Sequence, residues 1–231
     1  MAETIQDRNV VVTGGTGGLG RVVVERLVQA GAICHVPSRH DEPPTTGNDR
    51  LRLVGGVDLM DEAAVARFYG GVPDLWASVH LAGGFAGAKI AEASSSDFLG
   101  MFRLNALTVF LCSQAAVRRM RETGKGGRIV NVSARPGIEH RKGARMVAYG
   151  TSKAAVAAMT EALAEELKHD HILVNAIAPS TIDTAANRKS MPDVDPAKWL
   201  TPAAAAETIL QLISPQNVEI SGAVLPLYAR A

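Results

Sequence analysis

The sequence predicts an α/β fold: a single domain, residues 1–231, built on a doubly wound parallel sheet of about seven strands. Short β-branched runs alternate along the chain with longer segments whose apolar residues recur at helical spacing. The short runs are apolar without interruption, which is typical of parallel strands covered by helices on both faces. No repeat or low-complexity linker divides the chain, and its length suits one large domain with a sizeable core.

The predicted elements follow one another in regular order. We expect strands at residues 9–13, 33–36, 51–54, 76–81, 128–132, 172–178 and 223–227. Helices are expected at residues 19–30, 61–69, 97–121, 149–168 and 201–213. Residues 40–48 predict a surface loop, and residues 185–200, broken by two prolines, predict a flap. Ligands of such a sheet bind at the carboxyl ends of its strands.

The composition argues against several classes of partner. A net charge of +1 gives no attraction to nucleic acid or to a membrane surface. The first 15 residues lack the apolar core of a signal peptide, and no apolar run approaches the roughly 20 residues of a membrane helix. We therefore expect a cytoplasmic protein with no membrane, nucleic-acid or metal partner. Cys34 and Cys112 lie in apolar runs and are expected in the core.

A glycine-rich loop, TGGTGGLG at residues 13–20, joins the first predicted strand to the first helix. Glycines allow a tight turn and let backbone N–H groups approach a pyrophosphate at a helix N-terminus. A glycine motif alone also fits an ordinary turn, but the strand before it and the helix after it favour a dinucleotide site. The predicted contacts are Gly14, Thr16, Gly17, Gly18 and Leu19.

The end of the second predicted strand bears on the choice of cofactor. Ser38 and Arg39 stand there, with no acid at the strand end to hydrogen-bond a ribose 2′-hydroxyl. A guanidinium at Arg39 is suited to a 2′-phosphate, so NADP(H) is favoured. Asp41 and Glu42 follow closely and keep NAD(H) possible. The alternative for Arg39 is an ordinary solvated side chain.

Tyr149 and Lys153 stand four residues apart at the start of a predicted helix, so both face one site. A tyrosine hydroxyl with a pKa of about 10 is a poor acid or base at neutral pH. A neighbouring ammonium stabilises the phenolate and lowers that pKa. Taken alone, the pair also fits a solvated helix face. Together with the glycine loop it indicates proton transfer to or from a substrate.

These motifs resemble those of the short-chain dehydrogenase/reductase family over almost the whole chain, and the glycine loop matches the family's TGxxxGxG. The resemblance implies a Rossmann-like fold and hydride transfer between a nicotinamide and the carbonyl or alcohol carbon of a small molecule. It implies that Tyr149 donates or accepts the proton. Lys153 would hold the nicotinamide ribose and lower the tyrosine pKa, and Asn105 would hold a water in a proton relay.

The resemblance also implies further cofactor contacts, at the adenine, after the fourth strand and around the nicotinamide carboxamide. The residues that match these contacts are Asp58, Leu59, Ala82, Gly83, Gly84, Pro179, Ile182 and Thr184. A homotetramer or homodimer packed through helices 97–121 and 149–168 is implied as well. The apolar positions suited to that packing, which the core explains equally well, are Ala155, Ala158, Met159, Ala162 and Leu163.

Three departures from the family pattern stand out. His80 and Leu81 replace the first two residues of its usual Asn-Asn-Ala-Gly, and Ser180 replaces the glycine of its usual Pro-Gly. Ala134 stands where the family often has a serine that polarises the substrate carbonyl. The preceding Ser133 is kept as a catalytic candidate, although strand alternation directs it away unless the backbone bulges.

Three functions remain open. The first is a carbonyl reductase or alcohol dehydrogenase. The second is reduction of a quinonoid ring, because residues 82–87 and 181–192 are similar to dihydropteridine reductase, a subgroup that works without the serine. That subgroup usually has an aspartate at the second strand end, unlike Ser38. The third is a nicotinamide-binding regulator without turnover. Intact Tyr149, Lys153 and Asn105 argue against it, because binding alone needs no tuned acid.

The segment before Tyr149 is basic, with Arg135, His140, Arg141, Lys142 and Arg145. In this fold it borders the carboxyl end of the fifth strand. Clustered cations there would attract an anionic substrate. A solvated, mobile loop explains the same charges.

Overall fold

A computed structural model describes residues 4–40 and 48–230. The strands in these residues are β1 (Asn9–Thr13), β2 (Ile33–Pro37), β3 (Leu51–Val54), β4 (Leu75–His80), β5 (Gly127–Val132), β6 (Ile172–Pro179) and β7 (Val224–Leu227). They form one sheet in the order β3-β2-β1-β4-β5-β6-β7. Every neighbouring pair is parallel. The predicted fold class, a doubly wound α/β sheet of about seven strands, is confirmed.

The helices connect these strands. They are α1 (Gly18–Gln29), α2 (Glu62–Gly70), α3 (Ser95–Phe102), α4 (Thr108–Thr123), α5 (Arg135–Ile138), α6 (Val147–Glu166), α7 (Ala185–Ser190) and α8 (Pro202–Ile213). Two predicted starts, Asp61 and Thr201, are one residue early because the residue is a cap. The Asp61 carboxylate accepts the N–H of Ala63 at 2.8 Å, and the Thr201 hydroxyl accepts that of Ala204 at 3.2 Å.

The sheet has a core on each face. Val10 and Val12 pack in the core that includes α1 and α8, and Val11 packs in the opposite core with residues of α2 and α4. Successive strand residues point to opposite faces, so a strand buried on both sides is mostly apolar, and its buried polar residues need hydrogen-bond partners. Cys34 and Cys112 are buried as predicted, and burial raises the pKa of each thiol to about 12.

The helix predicted over residues 97–121 is present as a continuous helical run, Ser95–Thr123, but it is not α-helical throughout. A π-helical turn, Arg103–Leu107, separates α3 from α4. Within that turn, the Asn105 amide pairs with both backbone groups of Gly84, each at 3.0 Å. Wide turns of this kind are rare and often occur at functional sites. The long-range bonds of Asn105 accompany the irregularity and help to offset its cost.

The helical run Ser95–Thr123 bears on the membrane question. By length and composition alone this run could cross a membrane, and it is the one such helix in the part of the chain that the structure describes. The expectation that no apolar segment approaches this length was therefore too strict. The core helix of a soluble protein passes the same test, and Leu111 and Met120 of α4 are core residues here. The absence of a membrane partner stays a prediction.

The segment predicted as a flap contains local structure. It includes α7 and the 3₁₀ turn Pro196–Lys198. Its two ends are joined by the N–H of Asp183 donating to Leu200 O at 2.8 Å and the N–H of Leu200 donating to Thr181 O at 2.9 Å. Most of the loop predicted at 40–48, including Asp41 and Glu42, lies outside the described residues.

A buried chain of hydrogen bonds crosses the sheet from α2 to α6. Asn131 Oδ1 is an acceptor, so His80 Nδ1 donates to it at 2.8 Å, and His80 Nε2 accepts from Ser78 Oγ at 2.9 Å. The members of the chain are, in order, Tyr69, Ser78, His80, Asn131, Thr160 and the carbonyl of Val156. The hydroxyls, His80 Nδ1 and Asn131 Nδ2 all donate in the same direction while His80 Nε2 accepts, which requires neutral His80. Burial lowers its pKa to about 4.

This chain of hydrogen bonds predicts that the free energy of unfolding falls in acid. A histidine whose pKa is about 4 in the fold and 6.5 when exposed stabilises the fold fully above pH 6.5 and loses that contribution as the pH falls toward 4. For one histidine, the free energy of unfolding changes by up to about 1.4 kcal/mol per pH unit in this range. Buried His35 has the same shift and should add to it. In urea unfolding between pH 7 and 5, we expect His80→Asn to flatten this slope and exposed His169→Gln to leave it unchanged. Equal slopes for His80→Asn and the wild type would contradict the assignment.

Candidate active site

The candidate site lies at the carboxyl edge of the sheet, where β1 neighbours both β2 and β4. The strand order reverses at this point, and open α/β sheets bind their ligands there. A cleft runs along this edge. The predicted cofactor residues that line it are Gly14, Thr16, Gly17, Ser38, Arg39, Asp58, Leu59, Ala82 and Gly83. The sequence motifs, which are scattered over about 70 residues, therefore meet in one groove.

The glycine loop forms one wall of the cleft and fits an anion. Gly14 has a φ of +67°, and a Cβ there would lie 2.7 Å from the backbone nitrogen of Ala82. Gly17 caps α1 and has no side chain, so the first N–H groups of the helix keep no side-chain acceptor. Such N–H groups are a binding site for phosphate oxygens. Gly18 and Leu19 begin this helix, as predicted for a pyrophosphate site.

The far end of the cleft is formed by the residues predicted to hold adenosine. Ser38 is 8% exposed, and its backbone bonds both Val54 and Val57 at 2.8 Å. The exposed side chain of Arg39 lines the cleft. The Asp58 carboxylate accepts the N–H of Met60 at 3.0 Å. This end therefore carries one cation and one acid, each on an anchored backbone.

Asn105 connects the cleft with the catalytic residues. Besides pairing with Gly84, its Nδ2 donates to Ser152 Oγ at 3.1 Å, and the Ser152 hydroxyl donates to the Tyr149 carbonyl at 2.7 Å. A Cβ on Gly83 would lie only 2.5 Å from Asn105 Oδ1, so this position has no room for a side chain. The structure thus brings Asn105, Gly83, Gly84 and the start of α6 together, as the resemblance implied.

Lys153 is buried beside this network. Its ammonium donates to the carbonyl of Val132 at 2.8 Å, and Nζ lies 3.5 Å from the position of a Cβ on Gly83. Removal from water disfavours the charged form, and burial lowers the pKa of Lys153 to about 8. Lys153 therefore changes its charge near neutral pH.

Tyr149 lies in the first turn of α6, with its ring edge-on to Phe85 at a centroid distance of 5.0 Å. Burial raises the pKa of its hydroxyl to about 12. This direction is opposite to the lowering predicted from Lys153. The physical reason is that the phenol is removed from water while the ammonium of Lys153 bonds a backbone carbonyl. In this arrangement the Tyr149 hydroxyl is protonated at neutral pH.

Ser133 does not present its hydroxyl to the cleft. The residue is 1% exposed, and Oγ donates to the carbonyl of Lys153 at 2.7 Å. The strand continues without a bulge that would turn it round: the N–H of Ser133 donates to Ile177 O at 2.9 Å. This geometry contradicts the idea that Ser133 polarises a substrate carbonyl. The hydroxyl instead joins the end of β5 to α6.

The residues predicted to grip the carboxamide lie at the end of β6 and beyond it. Pro179 is buried as the last residue of β6, and Ile182 bridges to Leu200 at the base of the flap. The Thr184 hydroxyl caps α7, and its Cγ2 would touch a Cβ on Gly18 at 2.9 Å. The flap therefore starts against the glycine loop at Thr184, but none of these three residues is among those that line the cleft.

The cleft has further lining residues that the sequence motifs did not identify. They are Pro37, His40, Val57, Met60, Leu81, Leu104 and Thr108. Most are chain neighbours of predicted contacts. Thr108 follows Asn105 by three residues, and helical spacing would have suggested it. Ser152 was also missed, because its role depends on Asn105, which is 47 residues away.

The basic segment is only partly available to an anion. Arg135 pairs with Glu139 at 2.9 Å, and its guanidinium carbon lies 4.4 Å from the centre of the Tyr228 ring. His140, Arg141, Lys142 and Arg145 are exposed. In residues 4–40 and 48–230, no group of three or more His, Cys, Asp or Glu side chains is arranged to hold a metal ion.

Comparison with known proteins places this geometry in a family. The family model for short chain dehydrogenases matches residues 8–195. The chain is 32% identical to galactitol 2-dehydrogenase of Rhizobium johnstonii, over 96% of this chain and 93% of the relative. It is 27% identical to the rhamnolipids biosynthesis 3-oxoacyl-[acyl-carrier-protein] reductase of Pseudomonas aeruginosa, over 97% and 96%.

A solved structure of ElxO with NADP bound superimposes with a TM-score of 0.86 at 24% identity, over 96% of this chain and 97% of that one. A short-chain type dehydrogenase/reductase from Mycobacterium ulcerans gives the same score and identity, over 99% and 90%. At this identity the likeness concerns the fold. With the family model covering most of the chain, the protein belongs to the short-chain dehydrogenase family.

Proposed function

We propose that the protein is an NAD(P)-dependent oxidoreductase that interconverts a carbonyl and an alcohol on a small molecule, with Tyr149 as proton donor and acceptor. The observation that carries the proposal is the hydrogen-bonded path from Gly84 through Asn105 and Ser152 to the backbone carbonyl of Tyr149, which fixes the start of α6 next to the chain segment, Ala82 and Gly83, that lines a cleft suited to a dinucleotide. A nicotinamide, when bound, supplies or accepts the hydride.

The chain's own residues would hold the cofactor and move the proton. The first N–H groups of α1 suit the pyrophosphate, and Ser38, Arg39 and Asp58 suit the adenosine. Tyr149 is protonated at neutral pH, as a proton donor has to be, and positive charge near its hydroxyl would have to lower the pKa from about 12 for donation to be efficient. Arg39 in the cleft favours NADP(H), while Asp41 and Glu42, which follow it closely in the sequence, keep NAD(H) possible.

Reduction of a quinonoid ring is a second candidate, favoured by one observation. Ala134 offers a buried methyl group where the family often has its serine, and Ser133 is committed to Lys153. Such a site suits a substrate whose reduction does not need a serine hydroxyl hydrogen-bonded to the carbonyl oxygen. A regulator without turnover is disfavoured, because binding alone would not need Tyr149, Lys153 and Asn105 together. Oxidation of NADPH with a panel of ketones and a quinonoid dihydropterin separates the three functions.

We also propose a cytoplasmic homotetramer or homodimer that packs through α3, α4 and α6. Ala158 and Ala162 are exposed on α6, and Ala155, Met159 and Leu163 are half-buried beside them. On the preceding helices Phe102 is 38% exposed and Phe110 is 49% exposed. Small residues beside exposed aromatic rings suit close helix packing between subunits.

Tyr149→Phe tests the proposed acid. The substitution removes only the hydroxyl, so kcat with a ketone should fall by about 10²-fold or more while NADPH binding, followed by fluorescence, survives. Lys153→Ala should weaken both turnover and cofactor binding. Turnover of Tyr149→Phe close to that of the wild type would refute the assigned role.

Ser133→Ala separates the structural role from the catalytic one. Loss of the bond to the Lys153 carbonyl should lower the free energy of unfolding by about 1–2 kcal/mol. We expect kcat to stay within about threefold of the wild type, because the hydroxyl does not face the cleft. Urea unfolding and steady-state kinetics measure the two effects. A loss in kcat as large as that of Tyr149→Phe would restore Ser133 as a catalytic residue.

Arg39→Ala tests cofactor choice. A charge-assisted bond to a 2′-phosphate is worth roughly 10- to 100-fold in binding, so NADPH affinity should fall by that factor and NADH affinity should change little. Exposed Arg67→Ala, on α2, removes the same charge away from the cleft and serves as the control. If Arg39→Ala affects the two cofactors equally, or if the wild type strongly prefers NADH, Arg39 is a surface residue.

A further inference from the structure

A second pocket opens beside Tyr149, outside the cofactor cleft. One side is the loop after β4, including Ala88 and Ile90; a second is Phe98 and Met101 of α3. The third side is residues 146–148, immediately before Tyr149. The cavity measures about 290 Å³, close to the lower end of small-molecule pockets. It is therefore the size of one substituent of a ligand.

The pocket wall reaches the residue that precedes the candidate tyrosine. Ala148 lines it and is bonded to Tyr149 along the chain, and the Phe85 ring packs against Tyr149 at 80°. The loop is fixed to the start of α6 by a parallel bridge between Ala88 and Met146. A molecule whose oxygen reaches the Tyr149 hydroxyl would therefore extend another part of itself along this wall.

The polar atoms around the pocket are engaged. Ser94 and Asp97 form a capping box at the start of α3, with bonds of 2.9 Å and 3.1 Å between side chain and backbone. The bonds from Ser94 hold the pKa of the Asp97 carboxyl below its usual value. An ionised carboxylate at the rim repels an anionic group, and the rest of the wall is largely apolar.

Three large apolar side chains of the pocket wall are exposed, and they lie together rather than singly. Ile90 is 74% exposed, Val147 is 45% exposed and Phe98 is 39% exposed. Large apolar side chains that cluster at a concave surface mark ligand or partner sites in soluble proteins. Contact with the tyrosine wall favours a ligand that is also the substrate.

We propose that this pocket binds an uncharged aliphatic substituent of the carbonyl substrate, about the size of an alkyl chain of several carbons. The inference rests on the proposed function and makes it more specific. It assigns the substrate class to ketones or alcohols with an apolar arm, rather than to polyols or to oxo acids.

The test compares straight-chain methyl ketones, from methyl ethyl ketone to methyl hexyl ketone, with NADPH as reductant. Burial of each methylene should raise kcat/KM about fourfold, or about 10²-fold over the four added methylenes. Val147→Asp places a carboxylate on the wall at the first position of α6, where a helix accepts an acid. We expect it to reduce the gain to less than twofold per methylene.

Two further variants keep the test independent of folding. Ile90→Ser, in the exposed loop, should reduce the gain per methylene in the same direction. Val218→Asp introduces the same charge at a valine that is 65% exposed and absent from the pocket wall, and should leave the gain unchanged. Circular dichroism of each variant verifies that it has folded.

Four outcomes overturn the proposal or separate it from the proposed function. If the ketones turn over but kcat/KM does not depend on the length of their alkyl chain, the pocket assignment is overturned and the proposed function is left intact. A stronger response to an oxo acid of equal length points instead to the basic segment before Tyr149. A smaller oligomer for Val147→Asp by light scattering, with unchanged chain-length dependence, makes the pocket a subunit interface. If no ketone turns over, calorimetric titration with methyl hexyl ketone decides: binding that is lost in Val147→Asp retains the pocket without the function, and no binding overturns both.

Discussion

The close approach of two backbone segments, the glycine loop and the start of the chain after β4, constrains the rest of the site. Leu81 donates its N–H to Thr13 O at 3.1 Å, and Ala82 donates to the Thr13 hydroxyl at 3.3 Å. At the next step the backbone of Gly14 leaves no room for a Cβ against Ala82. Because the two segments touch here without side chains between them, the carboxyl edge opens into a cleft and α1 aims its first N–H groups along it. A larger residue at this contact would separate β1 from β4 and displace both walls.

The catalytic side chains are positioned by partners far away in the sequence. Asn105 is bonded to Gly84 and Ser152, Lys153 to the carbonyl of Val132, and the carbonyl of Lys153 to Ser133. Each bond lies in a poorly solvated region, where an unmade hydrogen bond costs more than it would at the surface. The start of α6 is thereby held between β5 and the π-helical turn. The orientation of Tyr149 and Lys153 follows from this double attachment as much as from their helical spacing.

The sequence was informative wherever the structural cause is local. Unbroken apolar runs identified all seven strands, and the glycine loop identified the cleft, because strand period and glycine backbone freedom act within a few residues. The π-helical turn could not be predicted, since it depends on the contact of Asn105 with Gly84. The direction of Ser133 was left open because a single residue of register decides it. The pKa of Tyr149 was predicted in the wrong direction because helical spacing reports the nearness of Lys153 but not the burial of the phenol.

Burial of Tyr149 and Lys153 has a consequence for the direction of the proposed reaction. With a pKa of about 12, the hydroxyl of Tyr149 holds its proton at every physiological pH, which is the protonation state that donation to a carbonyl oxygen requires, while so high a pKa makes it a weak acid. Alcohol oxidation needs the phenolate instead, and a phenolate in this poorly solvated position requires a positive charge nearby. Lys153, with a pKa of about 8, supplies that charge below pH 8 and loses it above. Raising the pH therefore removes a proton from the lysine before it removes one from the tyrosine. Without cofactor the site thus has the protonation state that reduction needs but only a weak acid, and any gain in acid or base strength at Tyr149 has to come from positive charge added to the site when ligands bind.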